Sequence, residues 1–207
     1  MHVLMLNGSP HPKGCTYTAL ETVSKQLATH SIESTIVQIG TKPINGCIAC
    51  GKCAKTGYCV FENDGVNQFI DQLKAADGLV VGSPTYYAGP NGVLCSFLDR
   101  VFFCKSGNYA FKPAAAVVSC RRGGASANFD RLNKYFTISR MPVVSSQYWN
   151  SVHGNTPDEV LQDAEGLQVM RTLADNMAWL LKCIACGKEA GINPPKMEPW
   201  IATNFIR

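Results

Sequence analysis

The sequence predicts an α/β fold: a doubly wound parallel sheet of five strands with helices on both faces. Three observations carry this. Short apolar runs recur without polar alternation, as strands buried on both faces require. Each run is followed by a segment with helical spacing. Three of the runs end in loops of small or polar residues, after Leu6, after Val81 and after Val118. Ligands of such sheets sit beyond the carboxyl ends of the strands, so these three loops are the candidate site.

Val3–Leu6 predicts the first strand, ending in Asn7-Gly8-Ser9-Pro10. A helix begins at Thr16, with Leu20, Val23 and Leu27 on one face and capping-box spacing from Thr18 to Glu21. Thr35–Ile39 predicts the second strand. Residues 41–64 are rich in Gly, Cys and Lys and have no period. At about 24 residues this is long for a structureless loop, so it is functional or held by something. Phe69, Ile70, Leu73 and Ala76 mark a helix from Val66. Leu79–Val81 is the third strand, and Val93, Leu94, Phe97, Leu98 and Val101 describe the next helix. Ala114–Val118 is the fourth strand, followed by a helix through Leu132, Tyr135 and Phe136. Val143-Val144 is a short fifth strand. One long helix is expected from about 158 to 188, with Leu167, Met170, Leu173, Met177, Leu180 and Ile184 on one stripe. Pro194-Pro195 breaks any regular structure after it.

A length of 207 residues predicts a single domain over 1–207, with a cysteine-rich insertion at about 43–64. Apolar residues at 46% against 16% charged exclude a disordered chain. A net charge of +4, scattered along the chain, is too weak to predict nucleic-acid binding. No apolar run approaches the roughly 18 residues of a membrane span. The first residues lack the basic flank and apolar stretch of an export signal, which predicts a cytoplasmic protein. Ten cysteines without such a signal predict reduced thiols, some of them holding metal.

The first loop, Asn7 to Thr16, joins a buried strand to a helix N-terminus, where backbone N–H groups favour an anion. It lacks both the P-loop ending and the dinucleotide glycine fingerprint. Two readings stand: a phosphate site to which Ser9 and Thr16 add hydroxyls, or an ordinary turn using them as caps. The loop from Ser83 to Gly92 sets Tyr86 and Tyr87 between prolines and glycines. It either meets a flat heterocycle or packs as a rigid turn.

Together, Gly8-Ser9-Pro10 with Gly14-Cys15-Thr16, Ser83-Pro84-Thr85-Tyr86 with Phe97-Leu98-Asp99-Arg100, and Gly123-Gly124 resemble the flavodoxin-like NAD(P)H-dependent FMN reductase family. The resemblance covers roughly residues 1–140 and implies a flavodoxin-like sheet binding FMN at its carboxyl edge. It implies that Ser9, Cys15 and Thr16 hold the FMN phosphate. It places Pro84, Thr85, Tyr86 and Tyr87 on the isoalloxazine, and Ser119, Cys120, Gly123 and Gly124 on its pyrimidine side. His11-Pro12 stands where relatives often carry a basic residue, and Cys15 where they carry Asn or Ser.

Cys47, Cys50, Cys53 and Cys59 give C-x2-C-x2-C-x5-C, whose opening matches ferredoxin-type ligation. Structural zinc sites split two pairs across a longer loop. The spacing resembles the cluster motif of the iron–sulfur flavoprotein branch and implies a [4Fe–4S] cluster. The alternative is a cysteine-rich loop without one. Gly46, Gly51 and Gly57 leave room for N–H···S bonds. Cys183 to Lys188 repeats Cys47 to Lys52 residue for residue, but no further cysteines come after it. On a helix these two thiols share a face and pack as small hydrophobes. Cys95 and Cys104 flank a helix in or near the core.

Other residues leave two readings each. Arg121-Arg122 either steadies an anionic ligand or is solvated. Phe102-Phe103 and Met177 to Trp179 either form a dimer surface or pack in the core. The resemblance implies an FMN-dependent oxidoreductase whose chemistry resides on the flavin, with no side-chain general base. Its expected partners are NAD(P)H or a ferredoxin-like protein and a small-molecule acceptor, in a homodimer or homotetramer. The alternatives are a cluster-free reductase of quinones, nitro or azo compounds, and a non-enzymatic module binding a phosphate ligand.

Overall fold

A computed structural model describes residues 1–104, 109–199 and 201–203. The strands are β1 (His2–Asn7), β2 (Glu33–Gln38), β3 (Gly78–Tyr86), β4 (Gly89–Pro90), β5 (Ala114–Cys120) and β6 (Ser151–His153). The helices are α1 (Cys15–Thr29), α2 (Cys53–Thr56), α3 (Val66–Ala75), α4 (Gly92–Phe103), α5 (Ala125–Ile138), α6 (Pro157–Gln162) and α7 (Ala164–Glu189). Five strands run parallel in the order β2-β1-β3-β5-β6, and β4 folds back antiparallel on the end of β3. The strand order reverses between β1 and β3, so the loops after both open into the same crevice. This is the predicted doubly wound arrangement, with a sixth strand added as a hairpin.

Alternation along each strand feeds two cores. Leu4, Leu6, Leu79 and Val81 face one side with Phe69, Ile70, Phe97 and Leu132 from α3, α4 and α5. Val3, Met5, Val80 and Val117 face the other with Leu20, Val23, Met170 and Leu173 from α1 and α7. Both faces of the sheet are therefore dry, which is why its strands read as continuous apolar runs.

Three expectations are corrected. The fifth strand of the parallel sheet is Ser151–His153, not Val143-Val144. Val143 makes only an isolated bridge to Ala114. The outer edge of β5 is met twice, by Val144 N on Ala114 O (2.8 Å) and by Val118 N on Asn150 O (3.0 Å). Ser145 to Trp149 bulges out between these points. The capping box does not form. Helix α1 starts at Cys15 with Gly14 as N-cap, Thr18 turns its hydroxyl onto Gly14 O (3.3 Å) inside the helix, and Glu21 pairs with Lys25. The single helix expected over 158–188 is two. Asp163 breaks it, accepting from Gly166 N at 2.9 Å as the N-cap of α7. The same carboxylate accepts from His153 N at 2.7 Å and so ties the break to β6.

No helix among the described residues is long and apolar enough to cross a membrane. The two readings of the paired aromatics divide. Phe102 packs against Tyr109 and Tyr135, and Met177 is buried, whereas Phe103 and Trp179 are exposed. Cys183 and Cys186 are also exposed on α7, so they do not pack as expected.

Candidate functional site

The first loop leaves β1 through Gly8, whose N–H donates to Gly82 O on β3 at 2.8 Å. Asn7 then organises it: its Oδ1 accepts from Ser9 N (3.1 Å), and its Nδ2 donates to Gln38 at the end of β2 (2.6 Å). Ser9 is buried and its Oγ accepts from His11 N (3.1 Å). No side chain caps α1, and its first turn holds no acidic residue. The N-terminus therefore keeps its anion-binding character. His11 is exposed.

The second loop carries Pro84 and Thr85 half-buried and Tyr86 and Tyr87 exposed. Tyr87 and Ala88 both take positive φ, 49° and 58°. Asn91 closes the loop as N-cap of α4, accepting from Val93 N at 2.9 Å, and its Nδ2 reaches Gly8 O at 3.0 Å. The third loop comes after β5. Buried Ser119 meets buried Thr16 Oγ to Oγ at 2.9 Å, which joins the third loop to the first. Asn128 in α5 donates to Pro84 O (3.1 Å) and Thr85 Oγ1 (3.0 Å), which joins it to the second. Asn128 is fully buried, and its Oδ1 has no protein partner among the described residues.

Cys15 and Cys120 sit half-buried and buried at this edge, and Cys15 Sγ reaches Gly154 O at 3.7 Å. Burial pushes both thiols up, so they stay protonated at neutral pH. They add no negative charge against a phosphate. Gly123 and exposed Arg121-Arg122 lie at the outer rim.

The cysteine segment forms a second pocket. Cys47, Cys50, Cys53 and Cys59 line it together, with Arg100, Phe103 and Cys104 from the end of α4. Cys47 and Cys50 are exposed, Cys53 is buried at the start of α2, and Cys59 is half-buried. Asn67 in α3 clasps the backbone of Cys59 from both sides, accepting from its N–H (2.8 Å) and donating to its carbonyl (3.0 Å). Arg100 meets the sulfur, Nε to Sγ at 3.0 Å. The same guanidinium donates to Asn45 O (3.2 Å) and Phe61 O (3.4 Å), pairs with Asp64, and stacks over Phe61. Burial opposes the charge of Arg100, and Asp64 and Cys59 outweigh that opposition.

Helix α4 thus spans both places, with Asn91 in the second strand-end loop and Arg100 at the thiols. Its Phe97-Leu98-Asp99-Arg100 block divides its work. Phe97 packs edge-on to Phe69 at 5.3 Å and Leu98 is fully buried. Asp99 accepts from Tyr135 on α5, and Arg100 holds the cysteine segment.

A family model described as NADPH-dependent FMN reductase matches residues 1–156. The chain belongs to that family. It is an FMN-dependent oxidoreductase. An iron–sulfur flavoprotein of Methanocaldococcus jannaschii is 29% identical over 89% of this chain and 99% of its own length. Another, from Methanosarcina thermophila, is 25% identical over 89% of this chain and 97% of its own. Along most of its length the chain is thus similar to iron–sulfur flavoproteins. A flavodoxin from the domain Archaea superposes with a TM-score of 0.59 at 16% identity, covering 88% of this chain and 99% of its own. That likeness shows the fold to be flavodoxin-like.

The residues fit the FMN of this family and, at the thiols, an iron–sulfur cluster. Two buried hydroxyls and an uncapped helix N-terminus suit a phosphate, and four thiols around one pocket suit a cubane. No group of three or more His, Cys, Asp or Glu among the described residues closes to the spacing of a single metal ion. A four-iron cubane binds its thiolates at separate corners, so they stand farther apart than the ligands of one ion. Sequence reasoning misses Asn67, Cys104 and Asn128, and it takes Arg100 only as part of a motif. Cys104 is buried at the inner wall, its thiol pushed up to about 12 by burial and by Cys53 and Cys59. The one signal in the sequence is the charge of Arg100 inside the apolar pattern of α4, between Leu98 and Val101.

Proposed function

We propose that the three strand-end loops hold FMN and that Cys47, Cys50, Cys53 and Cys59 hold a [4Fe–4S] cluster. The protein then passes electrons between NAD(P)H or a ferredoxin-like donor and a small-molecule or protein acceptor. When bound, FMN supplies hydride and single-electron chemistry and the cluster supplies single-electron transfer. Ser9, Cys15 and Thr16 receive the phosphate at the start of α1. Thr16 and Ser119 share a hydrogen bond that fixes the width of the crevice. Pro84, Thr85, Tyr86 and Tyr87 border the ring system, held from below by Asn128. Cys120, Gly123 and Gly124 border its far end. The exposed rings of Tyr86 and Tyr87 offer a flat surface to a planar partner.

The observation that carries this reading is the bonding of the three loops to one another while four thiols line a separate pocket. Ten cysteines without a disulfide among the described residues support a reducing, cytoplasmic setting. The exposed Trp179 and Phe103 support a homodimer or homotetramer.

Anaerobic purification with an absorbance spectrum and quantitation of flavin, iron and acid-labile sulfide tests it. All three are expected. Flavin without iron or sulfide would make the protein a cluster-free reductase. No flavin after FMN addition would leave a phosphate-binding module. Cys50→Ala should abolish cluster absorbance while FMN stays bound. Equal loss of both cofactors would show that the sites are not separate.

A further inference from the structure

Resting on the cluster reading above, we propose that Arg100 is the positioning residue of the thiol pocket. It fixes Cys59 at one corner of the cluster and, by donating its Nε–H to that sulfur, raises the cluster's reduction potential. Arg100 is the largest fully buried side chain of the described residues, 1% exposed. A buried guanidinium is costly unless its donors are satisfied. Here its hydrogen bonds among the described residues go to a single stretch, Asn45 to Asp64. The residue does not brace the core; it reaches out of α4 to hold the cysteine segment.

The hold is uneven across the four thiols. Cys59 is fixed at both ends, its backbone by Asn67 and its sulfur by Arg100, while Cys47 and Cys50 stand in solvent. Cys59, and Cys53 with its buried thiol on Phe103 O at 3.9 Å, are therefore placed before iron arrives, and Cys47 and Cys50 close around them. Partners that orient metal ligands change metal affinity about 10–100-fold when removed. An N–H donor and a positive charge at a ligand sulfur both favour the more negative, reduced cluster, so they raise its potential.

The alternative is that Arg100 and Asp64 form a structural ion pair and the contact with Cys59 is incidental. Arg100→Lys separates the two, because it keeps the charge but loses the planar fork. Arg100→Gln loses both. Wild type and both variants are purified anaerobically and compared for iron, sulfide and flavin content. Cluster midpoint potential, rate of iron loss to a chelator and thermal unfolding are then measured. Arg100→Lys should keep flavin, lose iron about 10–100-fold faster and shift the potential negative, and Arg100→Gln should shift it further. A variant with lower thermal stability but the wild-type potential and chelation rate would reduce Arg100 to a structural role. Wild type without iron and sulfide would instead overturn the cluster reading, and this proposal with it. Should neither variant fold, wild type grown with 15N-arginine carries the test. Pulsed EPR of the reduced cluster should show a 15N coupling, and its absence overturns the proposal.

Discussion

Gly124 sits where the third strand-end loop meets the second. Its φ is 87°, and a Cβ there would stand 2.9 Å from Ala88 Cα and 3.2 Å from Thr85 Cγ2. Both neighbours belong to the tyrosine loop, so a side chain at 124 would push that loop off the third. Gly124→Ala should cost about 1 kcal/mol in backbone strain alone and weaken FMN binding to the apoprotein. Gly92→Ala, with nothing near its added methyl, should bind FMN as wild type does. Fluorescence titration measures both, and equal affinities would refute the role given to Gly124. At this scale the sequence reveals residues whose chemistry is local. Four cysteines at fixed spacing announce themselves, because their proximity is written in the chain whatever the rest of it does. Arg100, Asn67 and Asn128 do not, because their partners become neighbours only in the fold. Asn128 lies 44 residues from Pro84, and Arg100 lies 41 from Cys59.

Helices α6 and α7 show how a single side chain sets where a helix begins. The apolar stripe from Leu167 to Ile184 lies wholly inside α7, and what Asp163 cuts is the expected extension of that helix back to 158, by turning the chain and capping the second helix. Thr156 caps α6 in the same way, accepting from Glu159 N at 3.2 Å with Pro157 at the first helical position. Both caps are visible as residue types, but a stripe that starts at Leu167 does not itself mark where its helix begins. Asp163→Ala should cost about 1–2 kcal/mol from the lost cap, and it also strips His153 N–H of its acceptor. Thermal unfolding measures this, and an unchanged midpoint would refute the cap. The fifth strand is hard to place from sequence for a related reason: Val143-Val144 looks more strand-like than Ser151–His153, and the choice between them is made by pairing along β5.

Helices α1 and α7 are joined across one face by Asp175, which accepts from Gln26 and His30, each at 2.7 Å. Burial raises the Asp175 carboxyl, but those two donors outweigh it and hold it below its ordinary 3.8. A depressed carboxyl stabilises the fold above its unfolded pKa and loses that contribution as pH falls through its folded value. Wild type should therefore melt above Asp175→Asn near neutral pH, and the gap should close as pH falls below 3.8. A gap that persisted in strong acid would refute the link.

Over the whole molecule, the doubly wound sheet is legible in the sequence because both its faces are covered, which leaves its strands apolar throughout and its helices periodic. The thiol pocket is legible as a ligand set but not as a place, since α4 delivers its inner wall. That helix acts as a ruler. The nine-residue step from Asn91 to Arg100 rises about 13–14 Å along the helix axis and separates the loop that Asn91 closes from the thiol pocket. The phase of the helix matters as well: one alanine inserted after Gly92 would turn Arg100, and with it the buried Leu94, Phe97 and Leu98, by about 100°, and leave Asn91 where it is. Such a chain should melt lower than wild type and lose its grip on the cysteine segment together, because core face and guanidinium turn as one.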